Sequence, residues 1–349
     1  MHMADALLSP TVGATMWAAT AGSIIYCSNT LKKEMDDSKI PLMGVLGAFV
    51  FAVQMINFTI PGTGSSGHLG GGLLLAILLG PHAAFLAMAS VLTVQSLFFA
   101  DGGLLALGAN IFNLGIIPCF IAYPLIYKNI TANNLTKGKL FTGSMLSAVI
   151  GLQLGAFAVV LQTTLSGIAA LPFYSFALMM QPIHLAIGLV EGLATVGVIT
   201  FLWKTRPELI EKKSTDRPIG MTPLTNILIG LLLVAAITGG VLAWYASDNA
   251  DGLEWSIAKV TGHDELEAPE QGIHATLEDL QKKTAIMPDY TFKDVDEPEA
   301  AGTFEDDNPV DVSTSAAGLL GGLLTLLAGL AIGYMLKKRN YSGGTPKLL

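Results

Sequence analysis

The sequence predicts an all-α integral membrane protein: a seven-segment helical core, followed by two further transmembrane helices that flank an acidic external loop. Apolar residues make up 52% of the 349-residue chain and charged residues only 13%, where an ordinary globular protein carries about 25% charge. Mean hydropathy is +0.57. Several apolar runs reach ~18 residues, the length of a membrane-crossing helix. A soluble cytosolic enzyme is therefore excluded. So is a disulfide-built secreted domain, because Cys27 and Cys119 are the only cysteines and both sit inside apolar stretches.

The first apolar run covers residues 10–29, and the polar stretch 32–39 ends it. Pro41 opens a second run that reaches residue 60. The Gly/Ser-rich loop 61–68 follows, and then a short apolar run, 69–80. At ~1.5 Å per residue the short run crosses only about half of a ~30 Å hydrocarbon core. It reads as a half-span, which a membrane tolerates only where protein or a polar cavity surrounds it. The loop at 61–68 is thus a candidate site from the outset. Further runs at 83–100, 103–127, 140–165 and 183–203 complete a first domain, residues 1–210. A polar link at 211–221 leads to a second part, 222–349, with runs at 222–245 and 316–336 around an external loop at 247–314.

Charge gives the orientation. With the amino terminus outside, the inward segments 31–39, 128–139, 204–217 and 337–349 hold fifteen of the nineteen Lys and Arg. That is the positive-inside distribution, and it places the carboxyl terminus in the cytoplasm. The other four Lys lie in the 247–314 loop with eighteen Asp and Glu, a local net charge of −14. The remainder of the chain is positive by 6. Neither part suits nucleic acid. The acidic loop reads either as a device that concentrates cations near the mouth or as a solubilising linker. The start, Met1-His2-Met3-Ala4-Asp5, lacks the basic region of a cleaved signal peptide. The free amine consequently sits close to the outer leaflet.

Familiar catalytic patterns are missing. No His-Glu-x-x-His occurs, and the Gly62–Gly67 run that starts like a phosphate loop continues with His68-Leu69 in place of Lys-Ser/Thr. The histidines carry more information. A histidine at position two can chelate a metal through the Met1 α-amine, its own backbone nitrogen and its imidazole Nδ1, which close adjacent five- and six-membered rings. A further imidazole such as His68 completes a square of four nitrogens, a geometry of Ni(II) or Cu(II) rather than zinc or magnesium. An incidental terminal histidine is the plain alternative. His184, placed by the sequence at the opening of the seventh run, is either a passing ligand or an interfacial residue. His263 and His274 read as solvated residues of the acidic loop, and His82 as a helix-end residue. Glu191 is the one acid deep in an apolar run, and a charge there is functional by default. It holds a proton, pairs with a partner's base, or bonds to Asn57, Asn110 or Asn113. Ala14, Ala18 and Gly22 form a flat stripe at four-residue spacing, suited to close helix contact within the chain or with another subunit.

Together the terminal Met1-His2-Met3-Ala4-Asp5, the Gly-Thr-Gly-Ser-Ser-Gly-His68 loop with Leu-Gly-Gly-Gly after it, and His184-x6-Glu191-Gly192 resemble the membrane substrate-binding component of energy-coupling-factor importers for nickel and cobalt, the CbiM/NikM type. The likeness covers roughly residues 1–210. The remainder resembles the small N component of the same systems. Its Asp251-Gly252-Leu253-Glu254 is similar to a Pro-Asp-Gly-Leu-Glu pattern, with Ala250 in place of the Pro. The resemblance implies metal ligation by Met1, His2 and His68, and contact of the Ala14/Ala18/Gly22 stripe with a transmembrane coupling (T) subunit. It also implies two cytosolic ATPase subunits and a prokaryotic cell membrane as the location. Nearness to the loop suggests Asn57, Thr63 and Ser66 as its support; His184 and Glu191 are candidates for a secondary or entry site. The expected substrate is Ni(II), with Co(II) as the alternative. Two rivals stand beside this reading: an intramembrane metalloenzyme built on His68, His184 and Glu191, and a passive metal channel.

Overall fold

The computed structural model describes residues 2–34, 39–210, 223–263, 266–293 and 311–341. Met1 and the expected link at 211–221 lie outside the described residues. The chain is helical almost throughout. In order run α1 (Pro10–Glu34), α2 (Lys39–Gln54), the short strands β1 (Phe58–Ile60) and β2 (Ser65–Gly67), α3 (Gly72–Leu79), α4 (Pro81–Phe99), α5 (Leu107–Thr131), α6 (Lys137–Ser166) and α7 (Phe173–Thr205). After the link come α8 (Leu224–Gly240), α9 (Gly252–Thr261), α10 (Ile273–Thr284) and α11 (Val312–Tyr341). Five of these, α4 to α7 and α11, are long and apolar enough to cross a membrane.

The membrane-length helices are apolar on nearly every face, as expected where lipid rather than water covers the outer side, whereas α9 and α10 carry polar faces. Their boundaries follow local chemistry. Pro81 opens α4 at a position where a missing N–H costs nothing. Thr136 caps α6 by accepting the Lys139 N–H, and Gly167 at φ +64° ends it. The middle of α5, Phe112–Tyr127, is wound as a wide π-helix that contains Pro118 and Pro124, residues that cannot donate to an α-helical ladder.

Two expectations change. The seventh segment starts at Phe173, ten residues before the expected 183, and runs straight through Pro182. Pro182 removes the donor to the Leu178 carbonyl, and beside this point α6 contacts the chain: Gln153 Nε2 donates to the Gln181 carbonyl at 2.8 Å. The Gly/Ser loop is also more ordered than a simple turn. It is a two-stranded hairpin with Phe58 opposite Gly67 and Ile60 opposite Ser65, and its tip uses Gly62 and Gly64 at φ +77° and +73°.

The second part is not a separate body. Helices α8 and α11 pack on each other and on α2 through small residues that let backbones touch. A Cβ at Gly318 would stand 2.2 Å from the Gly239 carbonyl, and one at Gly329 would stand 2.8 Å from the Gly44 Cα. Between α8 and α11 the acidic loop forms α9 and α10, which lie over the end of the first part that carries the β1–β2 hairpin. A bulky residue at Gly318 must therefore push α8 from α11. Gly318→Leu is expected to lower stability by about 1–3 kcal/mol, read as a drop in thermal midpoint of the detergent-purified protein. Gly230→Leu, where nothing lies within 4 Å, should leave that midpoint in place.

Candidate metal site

The amino-terminal segment is bolted to the amino-terminal end of α5. Asn110 pairs with both backbone groups of Met3: its Oδ1 accepts the Met3 N–H at 2.8 Å and its Nδ2 donates to the Met3 carbonyl at 3.2 Å. The Met3 side chain is fully buried, and the Gly103 N–H also reaches its carbonyl. Two residues on, the Asp5 carboxylate accepts the Ala106 N–H at 2.9 Å. These bonds fix the backbone on which His2 stands. Its imidazole lies parallel to that of His68, with ring centroids 5.1 Å apart and 5° between the planes. Both side chains are 9% exposed.

His68 arrives from the opposite direction, at the exit of the β1–β2 hairpin. The hairpin lies close against α7, where a Cβ at Gly67 would fall 2.5 Å from Ile187. Beyond His68 the chain is clamped by Glu191, whose two carboxylate oxygens accept the Gly70 and Gly71 N–H groups at 2.8 and 3.1 Å. Gln54 accompanies this clamp by donating to the Gly70 carbonyl at 2.8 Å. The Nδ1–H of His68 donates to the Leu69 carbonyl at 3.2 Å, which leaves the lone pair on Nε2. Burial pushes this imidazole down to about 3. It is therefore neutral from about pH 5 upward and need shed no proton to take a metal.

The second part supplies carboxylates. Asp251 Oδ1 caps α9 by accepting the Leu253 and Glu254 N–H groups, while Glu254 returns the bond to the Asp251 N–H. The Asp-Gly-Leu-Glu pattern is thus a capping box. Its other oxygen, Oδ2, lies 3.9 Å from His68 Nε2. Gly252 is required by crowding, since a Cβ there would meet His184 Cε1 at 3.2 Å. On the far side Asp101 Oδ1 lies 3.1 Å from His2 Nδ1, and Tyr290 Oη donates to Asp101 Oδ2 at 2.5 Å. Burial alone would raise the Asp101 carboxyl, but His2 and the Tyr290 hydroxyl outweigh it and hold it near 2.

A family model described as the cobalt uptake substrate-specific transmembrane region, CbiM, matches residues 2–209. The chain belongs to the CbiM family. A second family model, the PDGLE domain, matches residues 225–338. The chain is 31% identical to a protein of Archaeoglobus fulgidus that carries the provisional name fused nickel transport protein NikMN, over 95% of this chain and 98% of that one. It is 30% identical to the cobalt transport protein CbiM of Sorangium cellulosum, over 62% and 97% of the two chains. A crystal structure described as a transition metal transporter superposes with a TM-score of 0.53 at 32% identity, over 62% of this chain and 98% of that one. Its relatives are thus named for nickel and cobalt transport, and the protein is a multi-pass membrane protein.

Within this CbiM-family chain the other singled-out residues fall in different places. Glu191 bonds to none of Asn57, Asn110 and Asn113; its partners are the backbone of Gly70 and Gly71. His184 sits inside α7, 1% exposed, its Nδ1–H donating to the Met180 carbonyl at 2.8 Å. It shares a cavity of about 10 Å³ with His68, too small for a hydrated ion. Asn57, Thr63 and Ser66 support the hairpin and its cover rather than the imidazoles. The Asn57 carbonyl accepts the Ser247 N–H, Thr63 Oγ1 closes the hairpin tip onto Ile60, and Ser66 Oγ donates to Asn249. His274 is not solvated: it is 3% exposed and its Nε2–H donates to the Leu8 carbonyl at 2.9 Å. Asp101, Asp251 and Tyr290 were not singled out as site residues. The capping-box spacing around Asp251 was the one available signal, whereas Asp101 and Tyr290 carry none.

The Glu191 clamp leads to a test. Glu191→Ala strands two buried N–H groups, at about 1–3 kcal/mol each, and frees the segment that carries His68. Metal affinity measured by calorimetry should fall together with the thermal midpoint. Glu191→Gln, which keeps one acceptor oxygen, should lose less of both.

Proposed function

We propose that this protein is the substrate-binding membrane component of an ATP-driven energy-coupling-factor importer, and that it captures nickel ions from outside the cell. The observation that carries this reading is the parallel His2–His68 pair, held by pinned backbone at the buried floor of the outer face. Among the described residues no group of three or more His, Cys, Asp or Glu side chains has metal-binding geometry. On this reading the two imidazoles are completed by nitrogen of the main chain. The Met1 amine and the His2 backbone nitrogen provide it, and four nitrogens in one plane suit Ni(II). In the structure His2 Nδ1 faces Asp101. Chelation through Nδ1 exchanges that contact for the metal.

The partner reading has its own support. Ala14, Ala18 and Gly22 are exposed on α1, and a Cβ at Gly22 would meet nothing within 4 Å. The stripe is thus open to a helix of another subunit, as a transmembrane coupling subunit with two cytosolic ATPases requires. The positive-inside charge distribution supports an amino terminus outside and a carboxyl terminus in the cytoplasm of a prokaryotic cell. Cobalt is the second reading, favoured by the cobalt transport names among the relatives. Both Glu191 oxygens are taken up by the Gly70 and Gly71 N–H groups, and the His68–His184 cavity of about 10 Å³ has no room for a substrate, which speaks against the metalloenzyme.

The deciding experiment inserts one Ala between Met1 and His2, which keeps every side chain but lengthens the chelate. Nickel binding to the purified protein should collapse, and His68→Ala should abolish it. His184→Ala should weaken it by no more than a few-fold, about 1 kcal/mol, as expected for a residue outside the ligand set. Unchanged binding after the insertion would remove the terminal nitrogens from the site. The ranking of nickel, cobalt, copper and zinc on the native protein then decides between the two metals.

A further inference from the structure

Between the two parts of the chain lies a cavity of about 1050 Å³. His2 and His68 lie at its buried floor. Asp248, Glu267 and Glu270 are exposed along its rim. Among the described residues ten Asp or Glu side chains line it and no Lys or Arg does. Eight of the ten come from the second part. The loop's four Lys all stay out: Lys259, Lys282, Lys283 and Lys293 are absent from the lining. The charge is therefore sorted as well as plentiful. A second observation points to a ligand for this space. Among the described residues His2 Nε2 is buried and meets no hydrogen-bond partner.

The size of the cavity fixes how it can act. At about 30 Å³ per water it has room for some thirty waters. Its carboxylates are too dispersed to enter one coordination sphere, in keeping with the absence of any metal-binding group of three acidic or histidine side chains among the described residues. A divalent cation in this space keeps its hydration shell and is held by the summed field, which a cleft with low-dielectric walls focuses. Only at the floor do nitrogen ligands replace water.

We infer that the second part of the chain builds an acid-lined vestibule that gathers hydrated divalent metal cations and feeds them to the His2–His68 floor. The inference rests on the metal site proposed above and extends it: the vestibule sets how fast the ion arrives, and the nitrogens set how long it stays. Its carboxylates act through the outer sphere and are not ligands.

The test is stopped-flow association of Ni(II) with the full chain in detergent, for the wild type and for a triple variant, Asp248→Asn, Glu267→Gln and Glu270→Gln. All three positions are exposed, and unchanged nickel stoichiometry at saturation checks that the variant is folded. At ~0.01 M ionic strength, where the Debye length is ~30 Å, the association rate should fall about tenfold with the dissociation rate unaltered. At ~1 M salt, where the Debye length is ~3 Å, the two proteins should converge. Asp279→Asn, on α10 but outside the cavity lining, controls for overall charge and should keep the wild-type rate. An unchanged association rate in the triple variant overturns the vestibule. So does an equal loss in Asp279→Asn, or a loss that appears only in the dissociation rate. His68→Ala separates the two proposals. If it still binds nickel the floor is wrongly assigned, while the salt dependence of wild-type association continues to report on the vestibule.

Discussion

Irregular backbone set against an apolar helix bundle survives only if its amide groups find partners, and the hairpin-bearing end of this protein is organised around that constraint. Two segments that belong to no helix meet there, the amino-terminal peptide and the stretch after the β1–β2 hairpin. Neither can satisfy itself. Asn110 serves the first, which Asp5 ties down further by accepting the Ala106 N–H, and Glu191 and Gln54 serve the second. Each of these polar side chains is buried and is itself satisfied by the backbone it serves. The same bonds that make the irregular segments tolerable also determine where His2 and His68 stand, so satisfying the main chain and aligning the two imidazoles are one task.

The second part of the chain extends this logic. Its cover docks largely through main-chain groups: Ser66 N–H to the Ala250 carbonyl, Trp255 Nε1 to the Thr63 carbonyl, Ile286 and Met287 N–H to Phe98, Gln281 to Gly102. Each such bond contributes about 1 kcal/mol net, so no single one determines docking. Asp251 ties the cover to the floor most directly, because one oxygen begins α9 and the other faces His68.

Much of the fold was legible in the sequence, and the reason is the solvent. Apolar runs of membrane length and the Lys/Arg count need no knowledge of packing, which is why α4, α6 and α11 are found where hydropathy places them. Boundaries are less legible: the seventh run reads as starting at 183, but the helix begins at Phe173 and passes through Pro182. The site was half legible. The chelating position of His2 is a matter of covalent chemistry and can be read from the first residues. The partnership of Glu191 with Gly70 and Gly71 spans 120 residues of chain, and the burial of His274 depends on a carbonyl at Leu8. Neither leaves a trace in composition or periodicity. The acidic loop illustrates the limit best. Its charge is plain from the sequence, but the sorting of acids toward one cavity and lysines away from it exists only in the folded chain.

The way α8 and α11 seat themselves on α2 has a consequence for how the cover behaves. Both ends of the cover are continuous with membrane helices: α11 is anchored on α2 by glycine-to-backbone contacts, and α8 is held to α11 in the same way. If its polar contacts release, the cover has nowhere to diffuse. It remains at the effective concentration of a short tether, on the order of millimolar, whatever the amount of protein in the membrane. Opening and closing are then unimolecular, and their balance is independent of expression level. A separately encoded cover would have to be matched to its bundle by copy number. Fusion replaces that stoichiometric requirement with a length of chain.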